Sequence, residues 1–171
     1  MKKTTYQKCY NLALYYLAKR QHSVSELTKK LAAKEHVQED IDKVVEKLKT
    51  LHFLNDKEFA YSRIRYRYEG SKWGLTRIKL ELGQKGVDRE IIEQAVAEHY
   101  ENGCLDDTLI KQQAFDLVYS RYKRKVELEN KRLTVKSYAK VVGFLTRRGY
   151  SSSQTRYALD LLVETLLDEN N

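Results

Sequence analysis

Two stretches of the chain concentrate basic side chains and aromatic rings. The first covers residues 63–85 and has seven Lys or Arg against two Glu, a local charge of +5. The second covers residues 121–148 and has ten Lys or Arg against two Glu, a local charge of +8, while the rest of the chain nets to −5. Cationic groups beside aromatic rings suit contact with nucleic-acid phosphates and bases. They equally suit an acidic protein groove, because Arg and aromatic residues are typical anchors of protein interfaces.

A binding role is therefore predicted for thirteen residues in two patches. The first patch comprises Arg63, Arg65, Arg67, Lys72, Trp73, Arg77 and Lys79. The second patch comprises Arg121, Lys123, Arg124, Lys125, Arg147 and Arg148. The competing interpretation is that the rings belong to the core and the charges to a solvated surface, which is the commoner arrangement for any single residue of these types. The clustering of both types favours a functional surface.

Patterns that support catalysis or metal binding do not stand out in the sequence. The four His and the two Cys, Cys9 and Cys104, show neither metal-ligand spacing nor a disulfide framework. There is no Gly-rich phosphate loop, nucleophile elbow or HExxH motif. The sequence therefore predicts no catalytic residue, no metal and no cofactor, and a protein that is not an enzyme.

Composition also limits where the protein is expected to act. The net charge of +8 suggests an acidic partner, either nucleic acid or an acidic protein surface. The longest apolar run, LALYYLA at residues 12–18, is too short to span a bilayer. Two distant Cys fit a reducing compartment. A cytoplasmic protein without membrane association is predicted.

The elements that must position the two patches are predicted to be helices. The 171 residues include no Pro and only seven Gly, fewer turn residues than a β-sandwich or an α/β fold normally needs. Apolar residues recur at helical spacing in nine segments. Two helix starts carry capping signals, namely a capping box at Ser23 and Glu26 and Asn55 with Glu58 three residues later, and a long helix is predicted to start near Asp106.

An internal repeat organises these helices. Segments beginning at Leu27, Ile78 and Val141 align, each with two apolar residues four apart, then a basic residue, a further apolar residue and a small or branched one. In the second and third copies the joint is Lys-Gly-Val at 85–87 and Arg-Gly-Tyr at 148–150, where Gly can close the helix in the left-handed conformation. The first copy has Glu-His-Val at 35–37, one residue longer and without Gly.

The repeat predicts an all-α fold of three tandem three-helix repeats forming an elongated body, straight or curved. The predicted repeats cover residues 1–54, 55–103 and 104–171, and in the third the first helix is expected to extend through RYKRKVELENKR, residues 121–132. The alternation of Arg and aromatic residues at 63–68 is interpreted as helical. Ala60, Ile64 and Tyr68 then share one apolar side, and Phe59 and Tyr66 lie on roughly the opposite side.

The central part of the chain resembles the RecX family, bacterial regulators of the RecA recombinase. The residues that carry the resemblance are Leu54-Asn55-Asp56, Phe59-Ala60, Gly74, Arg77-Ile78, Glu81-Leu82, Lys85-Gly86-Val87 and Ile91. The similarity extends over nearly the whole chain, although the outer blocks are generic helical repeats. Leu75 stands where the family often has Pro, and the chain begins almost at the first repeat, whereas longer relatives carry an N-terminal extension.

The resemblance implies a non-enzymatic protein that binds RecA and lies along the groove of its filament on single-stranded DNA. It implies restraint of filament growth, ATP hydrolysis, strand exchange and co-protease activity. Because the resemblance transfers no contact residues, the two patches above remain the predicted binding residues. A monomer is expected, and weak direct DNA binding is compatible with this function. The alternative is a sequence-independent DNA-binding helical protein without a RecA-specific role, since three-helix modules resemble helix-turn-helix units.

Overall fold

Nine α-helices account for most of residues 5–169, which are the residues that the computed structural model of the protein describes. The helices are α1 (Thr5–Lys19), α2 (Val24–Ala32), α3 (Gln38–Thr50), α4 (Asp56–Arg65), α5 (Leu75–Gln84), α6 (Arg89–Glu101), α7 (Asp107–Tyr122), α8 (Val135–Arg148) and α9 (Ser152–Asp168). A π-helical turn, Tyr66–Gly70, follows α4 directly. Strands β1 (Leu128–Glu129) and β2 (Arg132–Leu133) form an antiparallel hairpin between α7 and α8. The predicted all-α class is confirmed.

The described residues divide into two compact units. The first unit contains the residues up to Arg63 together with Glu81–Ala97, and the second contains Ile64–Leu80 together with the residues from Glu98 onward. The division therefore falls within α4, α5 and α6. The three predicted repeat boundaries remain a prediction.

The first unit buries the apolar stripes that helical spacing predicts. Its core consists of residues of α1, α2 and α3 together with Leu54, which lies just before α4. The members from the three helices are Cys9, Ala13, Leu27, Leu31, Ile41, Val44, Val45 and Leu48. Most members lie three or four residues from another member on the same helix, which places them on one face. Removal of this apolar area from water is the main stabilisation of the unit.

The second unit is built on α7, α8 and α9, with α7 packed along α9. Each helix supplies a buried row spaced by three or four residues, namely Ile110, Ala114 and Val118 from α7, Val141 and Leu145 from α8, and Ala158, Leu162 and Leu166 from α9. The start of α9 is closed by a reciprocal capping box between Ser151 and Gln154. Sequence reasoning did not identify this box, although its S-x-x-Q spacing is the usual signal.

The predicted helix starts are largely confirmed. The Asn55 Oδ1 accepts hydrogen bonds from the backbone N–H groups of residues 57 and 58, and the Asp106 carboxylate accepts from those of residues 108 and 109. The Ser23 hydroxyl accepts from the Glu26 N–H at 3.0 Å. The other half of the predicted box differs, because the Glu26 side chain binds Arg20 and Lys85 instead.

The glycine joints are confirmed in both places where glycine occurs. Gly86 has φ 75° and Gly149 has φ 86°, and the following residues, Val87 and Tyr150, donate their N–H groups back to the carbonyls of Leu82 and Leu145. Both of these following residues are buried. In the first copy Val37 is 61% exposed instead, because the longer joint places it at the N-cap of α3.

Two expectations about helices are wrong. The first helix of the third repeat ends at Tyr122 and does not extend through residues 121–132, most of which lie in a turn and in the β1–β2 hairpin. Tyr66 does not complete a second apolar side with Phe59. The π-helical turn changes the helical register at this position, so Tyr66 is 62% exposed whereas Phe59 is buried.

A partly buried ionic cluster connects the start of α2 with the residue that follows α5, within the first unit. The Glu26 carboxylate accepts from both terminal nitrogens of Arg20 at 3.1 and 2.8 Å and from the Lys85 ammonium at 2.9 Å. The Ser23 hydroxyl donates to the Lys85 carbonyl at 2.5 Å. Burial alone would raise the pKa of Glu26, but the hydrogen bonds from Arg20 and Lys85 outweigh it and hold this pKa at about 2.

Replacement of Glu26 by Gln should lower the free energy of unfolding by about 1–2 kcal/mol near pH 7, because it removes two charge-assisted contacts from a partly screened carboxylate. The folded-state pKa of about 2 lies below the ordinary value of 4.5. The stabilisation is therefore fully present above the ordinary pKa and is lost as the pH falls towards 2. Urea unfolding at pH 7 and pH 3 measures the change, and a loss that is as large at the lower pH would contradict this assignment. Glu46→Gln, which affects an exposed pair with Lys49, is the matched control and should change stability little.

Candidate functional site

The C-terminal end of α8 lies against the segment that leads into α5, within the second unit. The N–H of Gly74 donates to the Arg148 carbonyl at 2.8 Å, and the N–H of Thr76 donates to the Gly149 carbonyl at 3.2 Å. The Arg148 guanidinium donates to the Ser71 carbonyl at 2.7 Å. A Cβ at residue 74 would overlap the Gly149 carbonyl, so the close approach requires glycine at this position. This contact joins the two patches through residues that are more than 70 positions apart in sequence.

Two guanidinium groups lie over the indole ring of Trp73. The Cζ of Arg67 is 4.2 Å and the Cζ of Arg77 is 3.9 Å from a ring centroid, within the range of a cation–π interaction. Arg67 also donates to the Ser71 hydroxyl at 3.3 Å, and Arg77 donates to the Arg147 carbonyl at 2.9 Å. Both guanidinium groups are therefore ordered before any partner binds.

Phe144 forms a second aromatic centre on α8. The Cζ atoms of Arg121 and Arg148 lie 5.2 and 5.3 Å from its ring centroid, and the Tyr122 ring meets it edge-on at 5.6 Å. Because Arg148 also contacts Ser71, the two aromatic centres are connected through α8. We call the combined set the Arg–aromatic strip, which consists of Arg67, Trp73, Arg77, Arg121, Phe144 and Arg148.

Tyr150 fixes the backbone beside the strip. Its hydroxyl donates to the Lys72 carbonyl at 3.1 Å and accepts from the Gln113 side-chain amide at 2.8 Å. Burial raises the pKa of Tyr150 to about 12, so the phenol stays protonated and remains a donor at neutral pH. Lys72 has φ 54°, an uncommon conformation for a residue with a side chain, and the hydrogen bond from Tyr150 holds it.

The structure brings five of the thirteen predicted residues into the strip, namely Arg67, Trp73, Arg77, Arg121 and Arg148. Arg63 belongs to the first unit, where its guanidinium contacts Glu81 at 2.5 Å and its side chain is only 24% exposed. Arg65 forms an exposed ion pair with Glu69, and Lys79 is half-buried. The remaining five, Lys72, Lys123, Arg124, Lys125 and Arg147, are exposed.

Sequence reasoning missed Phe144 as a member of the site. A signal was available, because Phe144 and Arg148 are four residues apart and therefore neighbours on one face of α8. Arg121 comes from a different helix, and no local pattern predicts that it meets the same ring. Tyr122, which lies next to Arg121 in α7, contacts that ring from its edge.

Residues 5–169 have neither a cluster of metal-ligating side chains nor a helix suited to spanning a membrane. No group of three or more His, Cys, Asp or Glu in this part of the chain could hold a metal ion. None of the helices formed by these residues is long and apolar enough to cross a membrane. Cys9 is buried and Cys104 is exposed, and both are free thiols.

Comparison with known proteins gives consistent matches. The models of the first and second three-helix domains of RecX match residues 9–48 and 55–96. The regulatory protein RecX of Prosthecochloris aestuarii is 32% identical, over 92% of this chain and 95% of the relative. That of Vibrio parahaemolyticus is 36% identical, over 86% of each chain. The crystal structure of RecX from Lactobacillus salivarius matches with a TM-score of 0.71 and 26% identity, over 96% of each chain.

Replacement of Gly74 by Ala should destabilise the second unit by about 1–3 kcal/mol, because the added methyl group must displace the backbone at Gly149. Trp73 is the only Trp in the chain, so its fluorescence emission reports directly on this contact. We expect the Gly74→Ala variant to shift the emission to longer wavelength and to unfold at lower temperature.

Gly83→Ala is the matched control for this substitution. Gly83 lies in α5, and a methyl group added there would have open space within 4 Å. Ala at this position should therefore leave the Trp73 emission unchanged and slightly raise stability. Equal thermal stability of the two variants would show that the close approach of residues 74 and 149 is unimportant.

Proposed function

The chain belongs to the RecX family of regulatory proteins, and we propose that it regulates the RecA recombinase by binding RecA and the RecA filament on single-stranded DNA. Binding restrains filament growth, ATP hydrolysis and strand exchange. The proposal makes the Arg–aromatic strip the main protein contact. It requires no catalytic residue and no cofactor.

The composition and order of the strip support a protein partner. Its four cations are all Arg, and its rings are those of Trp73 and Phe144. Arg, Trp and Phe are enriched in protein interfaces, where a few such residues supply most of the binding free energy. Because Arg67 and Arg77 already rest on Trp73, less side-chain entropy is lost on binding. An acidic groove would supply the complementary charge.

The same contacts make stacking of nucleic-acid bases on the strip a weaker explanation. Base stacking needs an accessible aromatic face. Two guanidinium groups lie over the Trp73 ring. Two more lie over the Phe144 ring, which the Tyr122 ring also contacts edge-on. A base would therefore compete with the protein's own cations for these rings. The strip therefore favours an acidic protein surface over single-stranded DNA.

Inhibition follows if one molecule contacts neighbouring RecA subunits. A bound protein that touches two subunits opposes the movements between them that accompany ATP turnover. A molecule bound at the growing end also blocks the addition of the next subunit. Because one blocked end or groove affects many subunits, substoichiometric amounts should slow ATP hydrolysis by the whole filament.

Charge reversal at Arg67 and Arg77 should weaken binding to RecA filaments at least about tenfold, since two interface anchors are each expected to contribute more than about 1 kcal/mol. The double variant Arg67→Glu/Arg77→Glu should also lose most of its effect on ATP hydrolysis by RecA on single-stranded DNA. Arg121→Glu, which does not touch Trp73, should weaken binding in the same direction. Binding and hydrolysis are measured side by side after each variant is shown to be folded by thermal unfolding.

The matched control is Lys34→Glu/Lys47→Glu, which makes the same charge change at exposed positions of the first unit. This control should bind filaments much more strongly than the Arg variant. Unchanged hydrolysis together with equal affinity for bare and RecA-coated DNA would contradict the proposal. That result would leave the alternative of a sequence-independent DNA-binding protein.

A further inference from the structure

The β1–β2 hairpin carries a second charged surface that is distinct from the Arg–aromatic strip. In the backbone register of the two strands, Leu128 lies opposite Leu133, and Glu129 lies opposite Arg132. The two residues at the tip, Asn130 and Lys131, have φ 50° and 60°, as a two-residue type I′ turn requires. A compact hairpin of this kind holds the side chains of its tip away from its base.

The base of the hairpin is anchored. The Thr134 N–H donates to the Glu127 carbonyl at 3.0 Å, and the Glu127 N–H donates to the hydroxyl of the buried Ser137 at 2.9 Å. The Thr134 hydroxyl also caps the start of α8 through the Ser137 N–H. Leu128 and Leu133 are half-buried beneath the strands. The hairpin is thus an ordered projection on α8.

Six exposed cations surround the hairpin. They are Lys123, Arg124, Lys125, Lys131, Arg132 and Lys136, against two acidic residues, Glu127 and Glu129, which leaves a net charge of +4 for residues 123–136. We call residues 123–136 the basic arm. Within the described residues, none of the six cations has an ion-pair partner, whereas Lys43, Lys49 and the half-buried Lys111 each have one.

The cations of the basic arm differ in kind from those of the strip. Four of the six are Lys, which is depleted in protein interfaces and acts on phosphates as a hydrated point charge. Only Lys123 lies over an aromatic ring, that of Tyr119 at 4.5 Å. Uncompensated, extended and mostly Lys charge is the pattern expected for electrostatic contact with a polyanionic backbone.

We propose that the basic arm is a nucleic-acid contact that takes the phosphodiester backbone without regard to sequence. Its exposed ammonium and guanidinium groups neutralise phosphates and release condensed counterions. No base readout is involved, because the hairpin presents charged tips without aromatic faces. This contact is separate from the proposed binding of RecA by the strip, and each can be lost without the other.

The test removes three ammonium groups from the arm. The variant Lys125→Gln/Lys131→Asn/Lys136→Gln uses Asn at residue 131 because Asn tolerates the left-handed conformation there. The control Lys8→Gln/Lys34→Gln/Lys47→Gln removes three exposed ammonium groups from the first unit. Binding to a labelled oligo(dT) strand and to a duplex of the same length is followed by fluorescence anisotropy at several salt concentrations, without RecA.

For the single strand, we expect the slope of log K against log salt to become shallower by about 2 in the arm variant, since each phosphate contact contributes about 0.7. The control should keep the slope of the unmodified protein. Comparison of the strand and the duplex identifies which polymer supplies the phosphates.

Three outcomes would overturn the proposal. In the first, the unmodified protein binds neither oligonucleotide at low salt. In the second, the arm variant keeps the full salt dependence on both oligonucleotides. In the third, the variant binds bare DNA normally but loses affinity for RecA in the absence of DNA, which would make the arm a protein contact. Failure of the strip variants to lose filament binding would not affect this result.

Discussion

The second unit depends on a close backbone approach between Gly74 and the turn that ends α8. Gly149 adopts the left-handed conformation, which directs the carbonyls of residues 148 and 149 towards the N–H groups of Gly74 and Thr76. A side chain at residue 74 would collide with this turn. Without the contact, Arg148 could not reach Ser71 and Arg77 could not reach the Arg147 carbonyl, so the two halves of the Arg–aromatic strip would separate.

The second unit presents two kinds of positively charged surface. Guanidinium groups of the strip are held on aromatic rings and backbone carbonyls, which reduces their mobility and their hydration before a partner arrives. Ammonium groups of the basic arm extend into water from a short hairpin. The first arrangement suits a shaped protein surface, and the second suits a polyanion whose charges are repeated at many equivalent positions. A regulator that meets a protein filament built on DNA would encounter both kinds of partner.

Local signals in the sequence predicted much of the fold and part of the site. Most helical stripes, the cap at Asn55 and the glycine joints depend on interactions within a few residues, and they are confirmed. The hairpin was missed because Lys, Arg and Glu are good helix formers and two-residue strands have almost no periodicity. Asn130, and Thr134 three residues before Ser137, were the available signals that a helix stops and another starts.

The sequence by itself determined the all-α class, the position of most helices, the two basic stretches and the family resemblance, because each depends on residue types at short spacing. Only the tertiary structure decided which cations act together. Arg63 and Arg67 are one turn apart, yet Arg63 pairs with Glu81 in the first unit whereas Arg67 lies on Trp73 in the second. Arg121 and Arg148 meet at one ring because α7 and α8 pack. Contacts between residues distant in sequence depend on how helices pack, and periodicity within one helix carries no information about its neighbour.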